Sequence, residues 1–358
     1  MCWMWFLALW LTISVIIMSI INLIKKILNW IKGDDDGDGT GCINYTGLKL
    51  VRKRKDCIGF GMHRSGWPWV FDFLETLRDP NGILFDDFIE KNFCYKHQTE
   101  VRKEPWVGVF HHPPSIPYFG NQREDLLGVI NGKPFKESKK NLKLAFAMTE
   151  HLGDFLKKHL DCPVVVLKHP ANIDMEPWSI CDYRNNPNKS LIQVGYYLRN
   201  TQLIRHIPDC FFKKIRLWNN KKWINIHDQR LQHYWSGKRR VYNNYGQTNF
   251  LPASKYDKML RQNIVVTEVF DASASNGVLD CITRNTPIII NKHPAVVEYL
   301  GEDYPLYFSD PKDIPEIAKR AEEAHVYLAN MDKDWLDGGY FIKNIMKEIN
   351  EKVCNTMR

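Results

Sequence analysis

Hydrophobic and polar positions divide the chain into two regimes. Residues Met1 to Ile24 hold no charged side chain. A helix of that length reaches roughly 36 Å at 1.5 Å per residue, enough for a bilayer core of about 30 Å. Trp3, Trp5 and Trp10 lie near one end and Trp30 beyond the other, as interfacial aromatics do. From Asp56 onward, short apolar runs alternate with stretches whose apolar residues recur at helical spacing, which predicts α/β units around parallel sheets. Strands are expected at Cys57–Met62, Trp106–Phe110, Leu142–Met148 and Pro163–Leu167. A polar stretch from Ala171 to Lys189, with Pro177 and Pro187, reads as an interdomain linker. Alternation then restarts, with strands expected at Ser190–Tyr197, Phe211–Trp218, Asn263–Val269, Pro287–Asn291 and Tyr304–Phe308. A last amphipathic helix carries Phe341, Ile342, Ile345, Met346, Ile349 and Val353.

The expected organisation is a transmembrane anchor over 1–32, an acidic and basic linker over 33–55, one α/β domain over 56–187, a second over 188–335, and a C-terminal helix over 336–358. Lys25, Lys26 and Lys32 follow the apolar span and none precedes it, which places the folded part in the cytoplasm of a single-pass protein. Two open α/β sheets in tandem imply a ligand cleft between them, at the carboxyl ends of the strands.

Composition narrows the partners. Lys+Arg 49 against Asp+Glu 41 gives a formal charge of +8, suited to anions such as nucleotide diphosphates or lipid head groups. The densest basic run, Arg52 to Lys55, comes without the spacing of a nucleic-acid module, so no nucleic acid is expected as partner. Nine cysteines without CxxC spacing disfavour disulfide scaffolds and zinc sites. Asp34-x-Asp36-x-Asp38-Gly39 copies half of a calcium loop, but Tyr45 stands where the bidentate Glu belongs.

The chemistry concentrates in Val269 to Glu298. A strand ends at Val269, small residues follow, and a helix is expected from about Ser275. That arrangement turns free backbone N–H groups and the positive end of a helix toward an anion. Ser273, Ser275 and Asn276 are the candidates there, and Asp280, inside the helix, is a candidate for the ribose hydroxyls. Ordinary helix capping and a solvated helix face are the plainer alternatives.

The run Leu279-Asp280-x4-Asn285-Thr286-Pro287-Ile288-Ile289-x-Asn291-x6-Glu298 resembles the donor-site signature of glycosyltransferase family 4 and its GT-B relatives. The resemblance implies two Rossmann-like domains facing a cleft, a nucleotide-sugar donor on the C-terminal domain and an acceptor on the N-terminal one. It implies no obligatory metal or cofactor, and the retaining stereochemistry of that family. By the same resemblance Asp280 matches the ribose-binding acid and Glu298 the Glu closing the next loop. The first acid of the family's pair falls on Ala272, so its role in holding the sugar is unfilled or passes to Asp271 or Glu268. Arg199, after Gln193-Val194-Gly195, resembles the basic residue on the donor phosphates, with Lys214 second. His112 resembles the His facing the donor sugar, in competition with His111. Ser65, Gly66 and Trp67 occupy the first βα loop, where GT-B folds meet the acceptor. His112 and Asp271 are thus the catalytic candidates for sugar transfer to a glycan or lipid-linked acceptor. A non-catalytic GT-B-like binding protein is the rival reading.

Overall fold

The computed structural model describes residues 45–53, 55, 66–95, 100–117, 125–217, 221–248 and 251–353. The stretches read as an anchor (1–24) and as the strand Cys57–Met62 lie outside the described residues. Among those described, no helix is long and apolar enough to cross a membrane.

Two parallel sheets organise the chain. The first takes β1 (Leu48–Leu50), β2 (Ile83–Asp86), β3 (Trp106–Val109), β4 (Leu142–Ala147) and β5 (Val164–Val166), side by side in that order. Its helices are α1 (Trp67–Glu75), α2 (Leu126–Asn131), α3 (Lys133–Lys139) and α4 (Glu150–His159). The second sheet holds β6 (Ser190–Gln193), β7 (Lys213–Leu217), β8 (Gly246–Thr248), β9 (Ile264–Thr267), β10 (Ile288–Asn291) and β11 (Tyr307–Phe308). Their order is β11-β10-β9-β6-β7-β8. Its helices are α5 (Ile180–Asn185), α6 (Leu203–His206), α7 (Lys221–Trp235), α8 (Ala253–Arg261), α9 (Asn276–Arg284), α10 (Pro294–Leu300), α11 (Ile314–Ile317) and α12 (Ala321–Ala329). A final helix, α13 (Gly338–Glu348), completes the fold.

The central strands are buried on both faces, as helix-covered parallel sheets require. All four residues of β3, β6 and β9 are buried. Each fully buried large apolar side chain contributes about 1.5–3 kcal/mol, so β-branched runs such as Ile264-Val265-Val266 hold the sheet centre.

Two expectations about organisation are corrected. Leu48–Leu50, placed in the linker, forms β1 and pairs in parallel with Ile83–Phe85. The stretch expected to link the domains belongs to the second one: Ala171, Trp178 and Tyr183 sit in its core. The indole of Trp178 donates to the Asn263 carbonyl at 2.9 Å, which anchors the segment ahead of β9. The C-terminal helix forms as expected, as α13. Phe341, Ile342, Ile345 and Met346 of α13 pack into the first domain's core beside Leu48, Val70 and Phe71. The chain therefore crosses between domains twice. The crossings are tied together where the Ala171 amide donates to the Leu336 carbonyl at 3.0 Å.

Candidate active site at the domain interface

In the second sheet the chain leaves β6 toward β7 on one side, while β9 lies on the other. The carboxyl ends of β6 and β9 therefore flank a topological switch point, where such sheets hold their ligand crevice. The β6 loop turns sharply, with Gly195 at φ 80° and Leu198 at φ 51°. A left-handed leucine is strained backbone. It is held by an antiparallel bridge from Arg199 to Val269, with the Phe270 amide donating to the Leu198 carbonyl at 2.9 Å.

That turn delivers Arg199 to the start of α9. Its Nη2 donates to Ser275 Oγ at 3.1 Å and its Nη1 to the Val194 carbonyl at 3.3 Å. A Cβ on Gly195 would fall 1.5 Å from Nη1, and one on Gly277 would fall 3.3 Å from Nη2. Both glycines are thus conditions for the guanidinium's position. Ser275 is the N-cap of α9, yet its side chain makes no capping bond. A cation at a helix N-terminus opposes the helix dipole, and an anion placed there satisfies both.

A second helix start meets the first across the gap. Gly66 is the N-cap of α1, again without a side-chain cap. A Cβ on Gly66 would lie 3.4 Å from Asn276 Nδ2. The helix N-termini of the two domains, Arg199, Ser275 and Asn276 therefore converge on one point. Sequence reasoning named all of these residues; Ser65 lies outside the described ones.

Beside this point, Asp271 joins the domains. Its Oδ1 accepts from His151 Nε2 at 2.9 Å and from the Ala272 amide at 2.7 Å, and lies 3.2 Å from His293 Nε2. Its Oδ2 accepts from the Ser115 amide at 2.9 Å and the Ser115 hydroxyl at 2.8 Å. Burial pushes the pKa of this carboxyl up, but the bonds from His151, His293 and Ser115 outweigh it and hold the group well below the ordinary carboxylate range. Asp271 is accordingly a fixed anion, unsuited to exchanging protons near neutral pH. His151 moves the other way: its bond to Asp271 raises its pKa above the ordinary 6.5, against partial desolvation. His151 is thus the group beside the crevice that Asp271 orients and biases toward its protonated form. Sequence reasoning missed His151, His293 and Ser115. The available signal was position, since His151 follows β4 by a few residues as His112 follows β3.

His151, Asp271 and His293 form the one group among the described residues whose atoms approach closely enough to hold a metal ion, all within 4.8 Å. Two imidazoles and a carboxylate suit a divalent transition metal. The hydrogen bonds above already account for their arrangement.

Other candidates occupy different surroundings. His112 is buried at the end of β3, its amide donating to Glu90 Oε1 at 2.8 Å. Its ring lies 6.0 Å from Tyr197 in the β6 loop, so it does face the opposite domain. His111 is turned into the first domain, stacked on Phe88 at 3.9 Å, with Nε2 on the Asp87 carbonyl at 2.9 Å. Burial holds its imidazole neutral. Ser273 is buried and its hydroxyl has no hydrogen-bond partner among the described residues.

Four candidates do not present their side chains to the crevice. Trp67, expected against the acceptor, is buried; its indole donates to Asp87 Oδ2 at 2.8 Å and packs on His111. A buried indole N–H requires a partner, and Asp87 holds the ring in the core. Lys214 lies in the amino-terminal half of β7, at the end remote from the crevice. Its ammonium is satisfied by the Ile207 carbonyl at 2.8 Å and Asp209 at 2.9 Å. Asp280 is only 2% exposed and lies 3.2 Å from Arg284, one helical turn on, with Tyr256 donating at 3.3 Å. Glu298 accepts from the amides of Glu150 and His151 at 2.6 and 2.9 Å, so it caps α4 across the interface. It thereby holds the backbone that carries His151. Glu268, the alternative to Asp271, receives both terminal nitrogens of Arg239 at 2.7 and 2.8 Å and the Asn200 amide group at 2.7 Å.

No protein-family model matches the chain, and no curated protein sequence matches it. Solved structures do resemble it. The E. coli structure described as trehalose-6-phosphate bound with UDP-2-fluoro glucose aligns over 83% of this chain and 80% of its own, at 10% identity and TM-score 0.50. HepE of Anabaena, solved with UDP and glucose, aligns over 71% of each chain at 13% identity and TM-score 0.47. Sucrose-phosphate synthase of Thermosynechococcus elongatus aligns over 81% of this chain and 75% of its own, at 11% identity and TM-score 0.47. The fold of this chain, two parallel α/β sheets in tandem, is similar to the GT-B fold of the E. coli structure.

Proposed function

We propose that the chain is a glycosyltransferase that moves a sugar from a nucleotide-diphosphate sugar to a hydroxyl of a glycan or lipid-linked acceptor. The observation that carries this reading is the approach of the α1 N-terminus, at Gly66, to Asn276 at the start of α9, where the Arg199 guanidinium bonds Ser275. A departing diphosphate gains charge in the transition state, and fixed N–H groups with a guanidinium stabilise that charge without reorganising. His151, whose pKa the bond to Asp271 raises, stands next to the loop that leads into α9 and would supply a transferable proton. His112, at the opposite wall, is placed to bond a donor-sugar hydroxyl. Domain closure would exclude water and limit hydrolysis of the donor. Residues 1–24 would tether the enzyme to the membrane with its folded part in the cytoplasm, beside a membrane-borne acceptor.

Incubation of the full chain with a panel of nucleotide sugars, UDP-glucose first, and measurement of released diphosphate tests the reading. Release stimulated by an acceptor is expected. Absence of release across the panel would remove the transferase. The rival, a binding protein of the same fold, is favoured by one observation: Asp280 and Glu298, the acids of the resembled signature, are both engaged within the protein. Nucleotide-sugar binding without release would support it.

A further inference from the structure

The hydrogen bonds among His151, Asp271 and His293 leave behind a preformed set of metal donors. His151 belongs to α4 of the first domain, Asp271 to the loop before α9, and His293 is the N-cap of α10. Both imidazoles bring Nε2 to one oxygen, Asp271 Oδ1, at 2.9 and 3.2 Å. Donors around an ion with bonds of about 2.0–2.2 Å stand roughly 3–3.5 Å apart. The two contacts are therefore already near the spacing an ion needs. The imidazole rings lie at 84° to each other, with centroids 5.1 Å apart, so neither covers the other.

The carboxylate is held as a ligand must be. Asp271 Oδ2 accepts from the Ser115 amide and hydroxyl, and Oδ1 from the Ala272 amide. Such outer hydrogen bonds fix a metal-binding carboxylate in place. The Asp271 side chain is 4% exposed, but His151 is 27% and His293 13% exposed, so an ion has a way in from the imidazole side. The ion and the present hydrogen bonds are alternatives. On binding, His151 gives up its Nε2 hydrogen, to solvent or to its own Nδ1. His293 moves its hydrogen from Nε2 to Nδ1 and forfeits the long 3.3 Å bond from the Ala295 amide.

We propose that His151, Asp271 and His293 bind a divalent transition metal of the zinc type, with water completing its coordination. Imidazole with carboxylate selects such ions over magnesium and calcium, which take oxygen ligands. One ligand comes from the first domain and two from the second, so the ion pins the domains together. The ion and the Nε2 hydrogen of His151 also exclude each other, so loading the site withdraws the proton that His151 offers beside the crevice. That consequence rests on the transferase reading; the site itself does not.

Isothermal titration of the untagged full chain with zinc chloride and with magnesium chloride tests this. His151→Ala and His293→Ala are each expected to weaken zinc binding about a hundred-fold or more, since losing an outer partner of a ligand alone costs about 10–100-fold. Ser115→Ala is expected to weaken it about ten-fold. His233→Ala, at an exposed position of α7, is expected to leave it unchanged. The comparison separates this site from the nine cysteines of the chain. Zinc should raise the melting temperature of the wild type and not that of His293→Ala. The melting curve without zinc shows that the variant folds. Zinc affinity unaltered in both histidine variants, magnesium bound as tightly as zinc, or no saturable zinc binding to the wild type would overturn the proposal. Sugar transfer enters none of these readouts, so their failure would leave the transferase reading standing.

Discussion

Asp271 and Asp280 stand nine positions apart, one on each side of the α9 N-terminus, and both are buried. Their surroundings differ in kind. Asp280 pairs within its own domain, with Arg284 on the same helix and Tyr256 of α8. Asp271 draws Ser115 and His151 from the first domain and His293 from the second. One carboxylate therefore holds a domain together, and the other holds two domains against each other at the crevice. Neither charge is left over for the sugar donor. The positions that remain to receive it are the helix starts and cations around them.

Substitutions separate these roles. Asp280→Ala is expected to have the largest effect on folding, about 3 kcal/mol, the low end for breaking a buried pair, because it leaves the buried guanidinium of Arg284 with Asp257 alone, at 2.7 Å, and takes an acceptor from Tyr256. Denaturant unfolding should show the loss in the second domain. Asp271→Ala is expected to cost less, about 2–3 kcal/mol, since the imidazoles it releases sit at the edge of the crevice and rehydrate. Its distinguishing sign is a larger radius of gyration by small-angle scattering, as the domains part. An unchanged radius would show that Asp271 does not clasp them. Glu298→Gln is expected to cost about 1 kcal/mol, the usual worth of a helix cap, with the loss confined to α4.

A pH dependence follows from the same pair. The pKa of His151 is raised on folding, so the stability from its bond to Asp271 is complete below about 6.5 and fades as pH rises through the higher folded value. Asp271 is depressed, so its own contribution persists down through mildly acid pH and is lost only in strong acid. The melting temperature of the wild type should therefore fall from pH 6 toward alkaline pH more steeply than that of His151→Asn. Parallel curves would remove His151 from the clasp.

Much of the scaffold was legible in the sequence, because helix-covered parallel strands read as apolar runs. Trp106–Phe110, Leu142–Met148 and Pro287–Asn291 each match a strand to within a residue. Leu48–Leu50 and Gly246–Thr248 did not stand out, since three-residue strands at a sheet edge carry too little pattern. Arg199, Ser275, Asn276 and Gly66 were legible for a local reason: a strand end, small residues and a helix start are adjacent in the chain. Asp280 misled because its type and place on a helix fit a ribose ligand, while its partner, Arg284, is revealed only by packing. His151, Ser115 and His293 belong to three separate segments, and no local pattern joins them.

The central claim is that the Arg199 guanidinium and the α9 N-terminus form a diphosphate site. The most direct test is calorimetric titration of wild type and Arg199→Ala with nucleoside diphosphates, beside a check that both melt alike. The account predicts tight binding of at least one nucleoside diphosphate to the wild type and a loss of about 1.5–3 kcal/mol, roughly ten- to a hundred-fold, in the variant. Equal affinity in the two proteins, or none in the wild type, would contradict it.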